Sequence, residues 1–200
     1  KLEKWVVEQR VALMKQEGVT FECGVDVGED ISYRFLHDRF DALVLAAGAG
    51  VPRDLTVPGR ELEGIHFAMD FLTQQNRLNA GEPLGDRQRL TATGKHVVVI
   101  GGGDTGSDCI GTSWRQGAKT VTQLEVMPEP PATRAESTPW PQWPLMRRDS
   151  SSHKEGDTVW LWNIDTKAFC GEEGSVKQMQ CVRVDWVFDE SQGRVCPQEV

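Results

Sequence analysis

The alternation of apolar and polar positions divides the chain into two α/β stretches. Leu2, Trp5, Val6 and Leu13 recur at three- and four-residue spacing, which predicts an amphipathic helix over residues 2–17 that stops at Gly18. Val19, Phe21, Cys23 and Val25 alternate over a strand-length run, and a short element follows around Ile31 to Leu36. The uninterrupted apolar run Ala42-Leu43-Val44-Leu45-Ala46-Ala47 predicts a parallel strand buried on both faces. Pro52 and Pro58 mark a connector at 49–60. Phe67, Phe71, Leu72 and Leu78 predict a helix over 65–80, and a polar loop runs from Gly81 to Gly94. A second α/β unit then begins at His96. Val97 to Ile100 reads as a buried strand, Asp104 to Gln116 as a helix and Val121 to Val126 as another strand. Residues 127–156 form a long proline-rich loop that carries Trp140 and Trp143. Two strand-like runs, 158–169 and 176–188, complete the pattern as a hairpin with a four-residue turn at Gly171-Glu172-Glu173-Gly174. No strand is expected to return to the second sheet. With its abrupt start on a helix, the chain reads as an internal piece of a longer protein.

Charge narrows the function classes. Among 200 residues, 30 are acidic and 22 basic, for a net charge of −8. Nucleic acid and anionic membrane both need a basic face, so neither is an expected partner. No apolar run approaches the roughly 18 residues of a membrane span, and a soluble, cytoplasmic chain is expected. The five cysteines are scattered without a C-x-x-C, and the four histidines lack ligand spacing. No metal site is therefore expected within these residues.

The chemistry lies in Gly101-Gly102-Gly103-Asp104-Thr105-Gly106, a G-x-G-x-x-G that leaves an aliphatic strand and opens a helix. Gly101 would make the tight turn, Gly103 would admit a pyrophosphate to the backbone, and Gly106 would let helix and strand pack closely. The helix start then offers unpaired N–H groups to phosphate. Glu125, at the end of the next strand, can accept hydrogen bonds from both hydroxyls of an adenosine ribose. It would also repel a 2′-phosphate, which favours NADH over NADPH. A methyltransferase binding S-adenosylmethionine on the same strand–loop–helix is the competing reading, disfavoured by the third glycine. An incidental glycine-rich turn is the bland one. Gly48-Ala49-Gly50 also follows an apolar run, but Val51-Pro52 cannot open a helix with free N–H groups. It is either a backbone turn near a cofactor or a simple loop. Arg134, Arg147 and Arg148 are candidate phosphate clamps or plain loop arginines. Trp140 and Trp143 are expected to pack the long loop, His153 has no fixed role, and Asp104 and Asp108 suit the helix dipole.

Four stretches carry a family resemblance: Val57-Pro58-Gly59-Arg60, Phe67-Ala68-Met69-Asp70-Phe71-Leu72-Thr73-Gln74, Val99 through Gly106, and Trp140-Pro141-Gln142-Trp143-Pro144. On these the chain resembles the small (beta) subunit of glutamate synthase, or the equivalent region of single-chain eukaryotic-type enzymes. The resemblance implies a Rossmann-like flavoprotein with two dinucleotide-binding domains, one for FAD and one for NADH or NADPH, of which this chain holds part. Residues 1–48 would belong to the FAD domain, 49–95 would be a connector, and 96–200 an incomplete NAD(P)H domain. Hydride would pass from nicotinamide to flavin. Electrons would then run through 4Fe-4S clusters held outside this stretch to the large (alpha) subunit or domain, where glutamate is made. The resemblance implies that Gly101, Gly102, Gly103, Asp104, Thr105 and Gly106 bind the nicotinamide cofactor. It also implies that Ala47, Gly48 and Ala49 approach the flavin, with Ala47 standing where threonine is usual. No catalytic side chain is expected, because hydride transfer needs no protein acid or base. The family's cysteine-rich cluster region, FAD glycine fingerprint and C-terminal Gly-Asp segment are not in this sequence. Many bacterial relatives carry arginines where this chain has Leu124-Glu125-Val126. A reductase with another electron acceptor, or a non-catalytic NAD(H)-binding module, remains a rival.

Overall fold

The computed structural model describes residues 2–191 and 193–200. The chain divides into two compact units, Lys1–Val51 and Pro52–Val200.

The first unit holds helices α1 (Lys4–Gln16) and α2 (Tyr33–Arg39). α1 ends where the sequence says it must. Gly18 takes φ +95°, its N–H reaches Lys15 O and the Val19 N–H reaches Met14 O, the paired closure that a left-handed residue permits. α2 is opened by Ser32, whose Oγ accepts from Phe35 N at 3.1 Å. The strands expected over 19–25 and 42–47 do not form: both runs are irregular, and Val44 and Leu45 are each 88% exposed. A strand exists only by pairing, and among the described residues of this unit no strand lies beside either run. An apolar run specifies burial, but it cannot supply its own ladder partners.

The second unit is built on a parallel sheet of order β1-β2-β3: His96–Ile100, Thr120–Leu124 and Thr158–Leu161. Helix α4 (Gly103–Arg115) crosses from β1 to β2. It packs with α3 (Ala68–Asn79) on one face of the sheet, around Leu72, Val99, Cys109, Ile110 and Val121. Ile110 and Val121 are fully buried, each contributing about 1.5–3 kcal/mol of apolar transfer free energy. β1 is not the buried strand expected. Val97 and Val99 turn to the helices, whereas Val98 and Ile100 stay half exposed, with Val159 and Leu161 of β3. Two glutamines tie the 84–92 loop down. Gln74 donates to Gln88 O and accepts from Leu90 N, while Gln116 accepts from Ala92 N and donates to Gln75 Oε1.

The run expected as one strand over 158–169 is two. β3 completes the parallel sheet, and Asn163, at φ +58°, turns the chain into β4 (Ile164–Glu172) of an antiparallel sheet β4-β5-β6. β5 is Ser175–Asp189 and β6 is Arg194–Glu199. A third strand therefore does join the parallel sheet, and the C-terminal residues form a strand of their own. Pro197 pairs with Trp186 on the edge strand, where the missing N–H costs no ladder bond. The β4–β5 turn is also shorter than expected. Glu173 (φ +51°) and Gly174 (φ +78°) form a two-residue connection with left-handed φ at both positions, matched to the twist of the strands. The two sheets are joined by Trp186 Nε1 donating to Val126 O at 2.8 Å and by Val184 N to Asn163 O at 2.9 Å.

Two stability predictions follow from the turns. Gly59 (φ +80°) lies with its Cα against the Phe169 carbonyl, so an added methyl would meet backbone oxygen, and the Phe169 N–H is bonded to Pro58 O. Gly59→Ala should cost about 2–4 kcal/mol, read as a lowered thermal midpoint. Glu173→Asn should gain about 0.5–1 kcal/mol in the same melt, because asparagine tolerates the left-handed position better.

Candidate functional site

The glycine turn is shaped as its sequence requires. Gly101 closes the β1 ladder by donating to Leu124 O at 2.8 Å, then takes φ +94°, and Gly103 takes φ +68°. Space is open where either residue would carry a Cβ, so backbone is what a ligand would meet there. α4 begins at Gly103. The amides of Gly103, Asp104 and Thr105 occupy its first turn, where no intrahelical acceptor exists. All three residues are exposed, and the Asp104 carboxylate lies at the positive end of the helix dipole. Gly106 is buried, and a Cβ there would stand 3.1 Å from Gly101 O, so glycine permits the close helix–strand approach.

Glu125 follows β2 directly. Its backbone is held on both sides: its N–H donates to Leu161 O and its carbonyl accepts from Ile164 N, each at 2.9 Å. This places the half-buried carboxylate against Gly102, where Oε1 takes up the space a Cβ would need. Burial pushes the Glu125 carboxyl above the ordinary carboxylate range, and a hydrogen bond from Gln123 Nε2 at 2.8 Å works against that rise. The turn of residues 101–103, the start of α4 and one carboxylate thus meet at the C-terminal edge of the parallel sheet, the edge where open α/β sheets take ligands. The arrangement can receive a diphosphate on backbone N–H groups and a diol on the carboxylate.

Gln123 was not singled out by motif. It is 2% exposed, and its Oε1 is one of two buried side-chain polar atoms without a partner among the described residues. Such an atom costs about 1–3 kcal/mol. The available signal was the alternation Val121, Gln123, Glu125, which puts a polar residue at a core-facing position of an otherwise apolar strand.

The long loop returns to the same helix. Ser150 Oγ is hydrogen-bonded to Ser107 Oγ near the start of α4, and the Ser150 N–H donates to His153 Nδ1 at 3.0 Å. That bond makes Nδ1 an acceptor and leaves the proton of the neutral ring on Nε2. Burial holds the imidazole below its ordinary pKa. His153 packs on Trp160 with ring centroids 4.7 Å apart. The loop arginines are committed within their own segment. Arg134 donates to Thr138 O and Gln142 O, Arg147 pairs with Glu129 and Asp149, and Arg148 lies 4.0 Å from the Trp143 ring centroid. Trp140 and Trp143 do not fill the loop's interior; they are 83% and 79% exposed.

Ala47, Gly48 and Ala49 belong to the Lys1–Val51 unit, where all three are exposed and Gly48 takes φ +71°. Among the described residues, no cluster of three or more His, Cys, Asp or Glu side chains could hold a metal ion. Among the same described residues no disulfide joins the five cysteines, and no helix is long and apolar enough to cross a membrane.

Comparison with known proteins sets this geometry in a family. The chain is 50% identical over 187 residues to the glutamate synthase [NADPH] small chain of Mycobacterium tuberculosis, covering 92% of this chain and 38% of that protein. It is 45% identical over 208 residues to the glutamate synthase [NADH] of Schizosaccharomyces pombe, covering all of this chain and 10% of that protein. Against the glutamate synthase [NADPH] small chain of Bacillus subtilis it is 36% identical over 196 residues, covering 95% of this chain and 40% of the relative. The chain therefore spans about two fifths of the small chains it matches. The family model for pyridine nucleotide-disulphide oxidoreductases matches residues 4–142 and takes in both the Ala47–Ala49 turn and the whole β1–α4–β2 unit. With its α/β sheet of parallel strands and its glycine turn, the chain belongs to the pyridine nucleotide-disulphide oxidoreductase family.

Proposed function

We propose that this chain carries the nicotinamide-nucleotide site of a flavoprotein reductase. The enzyme would pass hydride from NAD(P)H to FAD and supply electrons for making glutamate from glutamine and 2-oxoglutarate. The observation that carries the reading is the juxtaposition of the Gly101–Gly103 turn, the first turn of α4 and the Glu125 carboxylate at one sheet edge. The names of the relatives support the destination of the electrons, and the large (alpha) subunit or domain of such an enzyme is the corresponding partner.

The residues fit a dinucleotide. Open space over Gly101 and Gly103 leaves room for a pyrophosphate at backbone distance, and the amides of Gly103, Asp104 and Thr105 are the donors for it. Glu125 is the acceptor for the ribose hydroxyls. Its negative charge opposes a 2′-phosphate, so the site favours NADH. By their names, relatives of both kinds exist, with NADPH in bacteria and NADH in yeast. Gly102 cannot carry a side chain without displacing Glu125. Ala47, Gly48 and Ala49 are the residues assigned to the flavin. When bound, the nicotinamide supplies the hydride chemistry. The protein's part is to hold and align, and no side chain has to move a proton.

Titration of the full-length protein with NADH and NADPH tests the reading. Gly103→Val places a branched side chain at φ +68° in the phosphate approach and should abolish binding of both nucleotides. Glu125→Ala should weaken NADH by about tenfold, the worth of one charge-assisted contact, and weaken NADPH less. Tighter NADPH binding by the unaltered protein would overturn the role given to Glu125. The pH dependence has a definite sign. The carboxyl is held above its ordinary range, so as pH falls the anion is lost earlier than for an exposed glutamate. NADH affinity should therefore decline with falling pH before other carboxylates titrate, and Glu125→Gln should flatten that limb.

A further inference from the structure

Gln123 is an expensive residue in its position. The ladder register sets it between Val99 of β1 and Trp160 of β3, on the face covered by α4. It is almost wholly buried, with its amide oxygen unpartnered. A methionine or leucine would fill the same space without stranding a polar atom. What the amide does provide is a single contact, the 2.8 Å hydrogen bond from Nε2 to Glu125 Oε1. The same nitrogen lies 3.0 Å from the position of a Cβ on Gly102 and 3.8 Å from that of one on Gly106, so the amide sits directly beneath the glycine turn.

We propose that Gln123 is a positioning and specificity-determining residue: its amide pins the Glu125 carboxylate, in the ionised form, under Gly102, where it receives ribose hydroxyls and refuses a 2′-phosphate. The inference rests on the reading of Glu125 as the ribose acceptor. The amide's orientation is set by that carboxylate, because an ionised carboxylate only accepts and the nitrogen must face it. Protonating Glu125 would remove this constraint, since its O–H could then donate to the Gln123 oxygen after the amide turns over. The pose of Gln123 and the proton on Glu125 are thus coupled. Among the described residues, burial and the Gln123 bond are the two influences on Glu125, and they act in opposite directions. Asp104, at the start of α4, is the charged group of that helix turn, and it acts to raise the His153 imidazole. Removing the amide leaves burial unopposed, so the carboxylate protonates at higher pH.

The test measures dissociation constants for NADH and NADPH in the full-length protein between about pH 5 and pH 9, for the unaltered protein and for Gln123→Met, Gln123→Leu and Glu125→Gln. Gln123→Met keeps volume and removes the donor. It should move the midpoint of the NADH pH profile upward and reduce the preference for NADH over NADPH at neutral pH by about fivefold to tenfold, as expected for loss of one net hydrogen bond. A folded Gln123→Met with an unchanged midpoint and an unchanged preference would overturn the proposal. A space-filling role would alter the melting temperature but not the midpoint. Should Gln123→Met fail to fold, Gln123→Leu reads the same quantity. Its side chain cannot donate in any protonation state, so the midpoint must rise, and a midpoint left in place rejects the assignment. Glu125→Gln separates the two readings. If it leaves both the profile and the preference untouched, the ribose contact itself is wrong. If it alters them while the Gln123 variants do not, only the role of Gln123 falls.

Discussion

The close approach of α4 to the β1 turn governs the rest of the second unit. A side chain at position 106 would press on the Gly101 carbonyl, and the helix would have to lift away from the strand. α4 is lined with small residues on its packed side, with Gly106, Ser107, Gly111 and Ser113 all buried. This lets other elements settle against it as well. A Cβ at Gly111 would stand 2.8 Å from Ser152, so the 3-10 turn Ser151–Lys154 docks there only because glycine leaves room. Trp114 covers Gly156 and donates from Nε1 to Thr158 Oγ1 at 2.9 Å, which fixes the start of β3 relative to the helix. The long loop, the third parallel strand and the glycine turn all take their positions from one closely packed helix.

That dependence explains which parts were legible in the sequence. The β1–α4–β2 unit could be read almost residue by residue, because its signals are local: an aliphatic run, glycines at fixed offsets, and an acidic residue one strand later. The antiparallel sheet was half legible. Asn163 was the punctuation that splits 158–169 into strands of two different sheets, but a single asparagine at a left-handed φ looks like any other polar residue until the pairings are known. The hairpin turn hides in the same way, since Glu173 occupies a position where asparagine or glycine would have announced it. In the first unit, 42–47 has the composition of a buried strand, but pairing is a property of neighbours rather than of the run itself. Gln123 escaped because motif reading follows charged and glycine residues, while its importance comes from burial.

The family's name turns attention to disulphides, yet this chain gives its cysteines no such arrangement. They are spread from the first unit to the last strand, and among the described residues no disulfide forms between them. What the chain shares with its family is nucleotide-binding architecture, and architecture of this kind serves many electron acceptors. Under the function proposed, the chemical distinctiveness of the site therefore rests on the few side chains that touch its edge, Glu125 foremost.

A carboxylate that discriminates between two nucleotides works under opposing demands. Fully exposed, it would be screened by water and salt and would distinguish them poorly. At an effective dielectric near 20, two like unit charges about 4 Å apart repel by about 4 kcal/mol, whereas in bulk water the figure is about 1 kcal/mol. Partial burial is therefore what gives the charge its reach. Burial also penalises the charge itself, and a carboxyl pushed far enough up becomes neutral and stops discriminating. Glu125 stands between these limits, half-buried against the glycine turn with its carboxyl raised by burial. A neutral donor from below is the economical way to hold it there. A lysine or arginine at position 123 would fix the ionised state more firmly but would cancel the field that is proposed to turn away a 2′-phosphate. An amide favours the anion by one hydrogen bond and leaves its net charge intact. Under the role proposed for Glu125, a glutamine in an apolar strand, with one of its polar atoms unpaired, is the expected cost of keeping a working charge at the edge of a core.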